Sequence, residues 1–205
     1  MTRPTPLIPT ALATGTGLAF AALARVVHRR PDNPVDEKAR DEVLESTNGT
    51  VQEAHKYLKR PGKWYVLVPS AVAASALLAR VRGWVAGVPV ALASVLAAAV
   101  AEGSEAWLPS RPPPPRRNDP EEPSFPSGHT LQPTALSLTA AYVLSREGLV
   151  RPQVAAPVAL AVPLVFGFIQ LPGDRHWFTD VAGGWLAGLS VAAACVAVYE
   201  ALAER

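Results

Sequence analysis

Six stretches of this chain contain no Asp, Glu, Lys or Arg: Leu7–Ala24, Trp64–Ala79, Gly83–Ala101, Thr130–Ser145, Pro152–Gly173 and Val181–Tyr199. Each approaches the roughly 20 residues a helix needs to cross a hydrocarbon core. Backbone N–H and C=O groups find no water there, so helices are the natural spanning form. A soluble helical bundle would need a polar face on each helix, and these stretches lack one. Trp64–Ala79 and Thr130–Ser145 are short, but Tyr65, Arg80 and Arg146 can extend them at the interface. Trp64, Trp84 and Trp107 fall at the ends of the stretches, as an interfacial belt requires. The prediction is an all-α, integral membrane six-helix bundle. Its spans cover about 7–27, 64–79, 83–101, 128–145, 152–170 and 180–200. Residues 1–205 form one membrane domain, with 28–63 as an extra polar segment.

The first stretch also has features of a signal peptide, with Ala22-Leu23-Ala24 as a cleavage site. Only Arg3 precedes it and the apolar run is long, so a retained helix is expected. Prolines inside the spans (Pro69, Pro89, Pro157, Pro163) predict local kinks.

Hydrophobic residues make up 49% of the chain and charged residues 18%, and the net charge of +2 is dispersed, which excludes a nucleic-acid groove. The lone Cys195 cannot form an intrachain disulfide and reads as a packing residue. No metal-ligand cluster or cofactor motif stands out. Gly183, Gly184 and Gly188 permit close helix contacts within or between chains, leaving the oligomeric state open.

With six spans, parity gathers segment 28–63 and loops 102–127 and 170–180 on one face. Segment 28–63 contains Asp36-Glu37-Lys38-Ala39-Arg40-Asp41-Glu42-Val43-Leu44, good helix formers with opposite charges at helical spacing. Asn48-Gly49 breaks it, and Val51–Leu58 can form a second short helix. Two amphipathic helices over the loop face compete with a solvated connector, which its charge content favours.

Of four histidines, His129 and His176 lie beyond residue 63, both on the loop face. Asp180 follows His176 by four residues, a spacing at which a carboxylate can fix the tautomer of a nucleophilic imidazole. An N-cap of the last helix is the plainer role for Asp180. Pro126-Ser127-Gly128-His129 opens the fourth apolar run as a helix N-terminus. Its free amides suit a phosphate, though a plain serine cap fits the same residues.

These residues resemble the motifs of the type 2 phosphatidic acid phosphatase (PAP2) superfamily, which includes membrane lipid phosphatases and vanadium haloperoxidases. Its second block, Pro-Ser-Gly-His, is complete here at Pro126–His129, as is the end of its third, His176 and Asp180. The first block is half present as Arg111-Pro112. The resemblance covers roughly residues 64 to 200. It implies that His176 attacks phosphorus, Asp180 orients it and His129 protonates the leaving oxygen. It further implies that Arg111, Ser127 and the Gly128 amide hold the phosphoryl oxygens, without a metal. Two family cations are replaced: the lysine by Ser104, and the Ser-Arg pair by Ile169-Gln170. Gln170 stands in the phosphate-binding position, and Arg175 is a nearby substitute. Lys56 to Lys63 could fold over the site as a cationic lid.

The resemblance implies a phosphatase for a lipid phosphate or isoprenyl diphosphate, with membrane lipids as its other partners. A degenerate member that binds anionic lipid without turnover and a lipid or sugar phosphoryl transferase are the alternatives. It also implies a bacterial plasma-membrane location with the site on the outer face. The larger share of Lys and Arg lies on that face, however, which the positive-inside rule would place in the cytoplasm.

Overall fold

The computed structural model describes residues 6–47, 50, 57, 64–108, 111–115 and 123–204. Seven helices, and no strand, occur among the described residues: α1 (Leu7–Arg29), α2 (Pro34–Ser46), α3 (Trp64–Arg82), α4 (Trp84–Trp107), α5 (Gly128–Arg146), α6 (Pro152–Phe168) and α7 (Phe178–Ala203). Helix α7 is the hub: α1, α4 and α5 pack along it, α3 pairs with α4, and α6 pairs with α5.

Four helices, α1, α3, α4 and α7, are long and apolar enough to cross a membrane. Helix α6 is apolar but has only 17 residues. Helix α5 is diluted by buried polar side chains, including Thr130, Gln132, Thr134 and Thr139. Large apolar residues on the outer helices are exposed, among them Ile8, Leu18, Leu77, Val158 and Leu160. Lipid is the solvent that suits such a surface.

Several boundaries differ from expectation. Helix α3 runs through to Arg82, so the link to α4 is Gly83 alone, whose φ of 93° favours glycine. Helix α4 continues past Ala101 to Trp107, through Gly103 and Ser104, because a charge at Glu102 does not end a helix. Ser104 is therefore helical and buried, and its Oγ donates to the Ala101 carbonyl at 2.7 Å. The helices also continue through Pro69, Pro89, Pro133, Pro157 and Pro163. Proline removes one intrahelical donor, and a neighbour can supply it. Pro163 deprives the Ala159 carbonyl of its partner, and Ser137 Oγ from α5 donates to that carbonyl at 3.3 Å.

Small residues set the closest contacts. A Cβ at Gly184 would lie 2.7 Å from the Ser127 carbonyl oxygen, and one at Gly188 would lie 2.6 Å from Thr134 Cβ. These glycines bring the start of α5 against α7. A Cβ at Gly183 would lie 2.6 Å from Phe125, whose ring stacks on Phe20 of α1 at 5.8 Å. Cys195 is buried in the core shared by α4, α5 and α7, as a packing residue should be.

Candidate active site

Helix α2 is the first surprise. The expected solvated connector is instead a docked helix over 34–46: Asp36 is 1% exposed. Val51–Leu58, Asn48-Gly49 and the proposed Lys56–Lys63 lid lie outside the described residues, apart from Tyr57.

Opposite charges four apart on a helix commonly pair with each other, as exposed Lys38 and Glu42 do at 3.8 Å. Asp36 and Arg40 have that spacing but reach across to other segments. Asp36 Oδ1 accepts from the Thr179 amide at 2.8 Å. Its Oδ2 accepts from Thr179 Oγ1 at 2.7 Å and from Arg111 Nη2 at 2.6 Å. Thr179 lies in the first turn of α7, so Asp36 satisfies an amide that the helix leaves without an internal partner. Arg40 binds Asp174 through Nε at 2.8 Å and Nη2 at 3.0 Å. That hydrogen bond raises the Arg40 pKa above its ordinary value, against the opposing effect of burial. Asp174 takes a left-handed φ of 48°, a conformation that Asp tolerates better than most residues, in the turn before His176.

Arg111 sits at the centre of this end and is 4% exposed. Nη1 donates to Thr179 Oγ1 and to Asp180 Oδ1, both at 2.7 Å. Nη2 donates to Asp36 and, at 2.9 Å, to the Pro31 carbonyl. A guanidinium has five N–H donors. Four meet protein acceptors here, and Nε finds none among the described residues. Arg111, which the resemblance implies as a phosphate ligand, here ties α2, the 111–115 segment and α7 together. A buried guanidinium between two carboxylates compensates their charge, and removing it would leave both uncompensated.

His176 is buried in the bend before α7. Its Nδ1 lies 2.9 Å from the Ser124 carbonyl oxygen and 3.8 Å from Asp180 Oδ2. The carbonyl can only accept, so Nδ1 carries a proton, and in the neutral ring that leaves the lone pair on Nε2. The expected Asp180 carboxylate faces this nitrogen, and the Ser124 carbonyl, which was not expected, lies nearer to it. Asp180 is also not the N-cap. Trp177 precedes α7, and Asp180, in the first turn, accepts from the Trp177 amide at 2.8 Å while holding Arg111.

The Pro126–His129 segment meets this turn directly. The Ser127 amide donates to the Asp180 carbonyl at 3.0 Å. Ser127 is fully buried at the N-cap of α5; its side chain makes no capping bond and accepts from Thr130 Oγ1 at 3.1 Å. Gly128 opens α5, and His129 follows it, half-buried. Gln170 is buried, and its amide turns back to donate to the Phe166 carbonyl at 3.2 Å. Arg175 is half-buried beside His176. Among the described residues no group of three His, Cys, Asp or Glu could hold a metal ion.

Asp36, Arg40, Ser124, Asp174 and Thr179 were not expected at the site. Ser124 acts through its backbone, which no side-chain pattern reveals. Asp36 and Arg40 left a signal, four apart on a strong helix former, but that signal also describes a solvated helix.

The PAP2 superfamily model matches residues 8–204, and the chain belongs to that superfamily. The crystal structure of a transmembrane PAP2-type phosphatidylglycerolphosphate phosphatase from Bacillus subtilis superposes with a TM-score of 0.79 at 20% identity. The match covers 90% of this chain and 94% of that one. At that identity the likeness shows the fold. No curated protein matches the chain. Four apolar helices of spanning length and this family define an integral membrane protein.

Proposed function

We propose that the chain is a membrane phosphatase that hydrolyses a lipid phosphate or an isoprenyl diphosphate through a phosphohistidine on His176. The observation that carries this reading is the joining of two motif-bearing segments by hydrogen bonds, from the Ser127 amide to the Asp180 carbonyl and from the His176 ring to the Ser124 carbonyl. His176 Nε2 attacks phosphorus as the bond to the lipid oxygen breaks, and His129 gives that oxygen a proton. Water then attacks the phosphohistidine, gives a proton to His129 and releases phosphate. The amides at the start of α5 face growing negative charge with the positive end of the helix. We read residues 1–205 as one membrane domain with six spans, α2 covering the site face.

One observation favours a second reading, anionic-lipid binding without turnover: Arg111 is already engaged by Asp36 and Asp180. Phosphate release from a panel of lipid phosphates by purified wild type and His176→Ala separates the two. Release that is lost in His176→Ala supports the phosphatase. Vesicle binding that survives the substitution, with no release from either protein, supports the binder.

The site face is proposed to lie outside the plasma membrane. Cys195 is buried, so a cysteine introduced at exposed Lys38 reports alone. Labelling of intact cells by a membrane-impermeant maleimide places that face outside; labelling only after lysis places it inside.

A further inference from the structure

The candidate nucleophile lies under α2. His176 lines a small cavity together with Ala39 and Arg40 of α2 and with Leu171, Trp177 and Phe178. The cavity volume is about 10 Å³. That is about the room of one water, so a phosphoryl group takes this place only if α2 eases outward. An anion that reaches His176 through this cavity meets the side chains of α2.

The cations at this end differ in what they have left to give. Arg111 spends four of its five donors on protein acceptors and sits between two carboxylates. Arg40 pairs with a single carboxylate, side-on, through Nε and Nη2. That geometry leaves Nη1 and its two N–H bonds outside the pair. The Arg40 side chain is 21% exposed, against 3% for Arg111, so it retains freedom to shift. Positions 104 and 170 bring a serine bonded within α4 and a glutamine bonded back to the last turn of α6.

We propose that Arg40 is a catalytic residue: its guanidinium binds the phosphoryl oxygens at His176, and Asp174 holds it in place between turnovers. This rests on the phosphatase reading for its substrate. The partner it recognises is a phosphate monoester or terminal diphosphate anion, met by the planar fork in the way guanidinium meets any such group. It makes α2, which lies outside the sequence motifs, part of the reacting machinery.

The test uses the full chain in detergent, with inorganic phosphate as the probe in calorimetric binding and a lipid phosphate in turnover. Arg40→Gln, Arg40→Lys and Asp174→Asn are compared, with thermal unfolding recorded for each. Arg40→Gln is expected to weaken phosphate binding and lower kcat/KM by roughly 10²-fold each, the size of one lost transition-state donor. Arg40→Lys is expected to recover part of the binding. Asp174→Asn breaks the same ion pair but keeps the cation, so it should bind phosphate at least as tightly as wild type. Equal losses in Arg40→Gln and Asp174→Asn would overturn the proposal, because they would assign the pair a structural role. Unchanged phosphate binding in Arg40→Gln would overturn it as well. The binding arm needs no turnover, so failure of the phosphatase reading registers separately, as wild type that releases no phosphate.

Discussion

The two ends of the bundle both bury a carboxylate against an arginine, and they do so for different ends. At one end, Glu200 is fully buried and accepts from Tyr142 at 2.7 Å, with Arg146 Nε at 3.1 Å. Beside it, Tyr199 donates to Glu147 at 2.6 Å. All five residues lie on α5, α7 or the turn just after α5. At the other end, Asp36, Arg111, Asp180, Arg40 and Asp174 come from α2, the 111–115 segment, the turn before α7 and α7 itself. They enclose a histidine with a fixed tautomer. The first end is a staple between two helices. The second converges more charge from more segments than stapling needs, around a group that can do chemistry.

That contrast can be broken by substitution. The largest effect is expected from His176→Ala, which removes the nucleophile. Phosphate release should fall roughly 10⁴-fold or more while the unfolding temperature in detergent stays close to wild type. His129→Gln should lower release of lipid phosphate by about 10² to 10⁴-fold. It should cost far less with an aryl phosphate, whose leaving group needs no proton; an equal loss on both substrates would remove His129 from the general-acid role.

Arg111→Met leaves Asp36 and Asp180 facing each other without a cation. It should destabilise the fold by about 3–5 kcal/mol, as breaking a buried pair does, in a detergent unfolding series. A stable Arg111→Met protein with lost phosphate affinity would instead make Arg111 a phosphate ligand. Gly184→Ala pushes the start of α5 off α7, since the added Cβ would meet the Ser127 carbonyl at 2.7 Å. A cost of about 1–3 kcal/mol is expected, with a parallel drop in turnover from the displaced Ser127–Asp180 link. The smallest effect belongs to the other end. Glu200→Gln keeps an acceptor for Tyr142 but loses the charge that meets Arg146, and should cost about 1–3 kcal/mol with turnover unchanged. Lost turnover in that variant would erase the distinction between staple and site.

Much of this was legible in the chain itself. The charge-free stretches marked the helices from α3 onward because a membrane allows few other forms for them. Pro126–His129, His176 and Asp180 announced their meeting by motif and by falling on one face. What stayed hidden were contacts over long sequence separations. Arg40 and Asp174 are 134 residues apart, and Asp36 and Thr179 are 143 apart. Nothing local distinguishes a charge that docks from one that stays in water. The pattern over 36–44 therefore suggested a solvated helix, and Arg111 suggested a phosphate ligand. The pairing of Asp36 with Arg111 was in neither pattern. The end of α4 was misplaced for a simpler reason: charge at Glu102 marks where a helix leaves the apolar layer, not where it stops.

The central claim is that the histidine at the crowded end takes the phosphoryl group. Rapid quenching of the purified protein with a ³²P-labelled lipid phosphate tests this most directly. The account predicts a protein-bound label, stable in base and labile in acid, that is present in wild type and absent in His176→Ala. Turnover with no bound label, or a label that persists in His176→Ala, would contradict it.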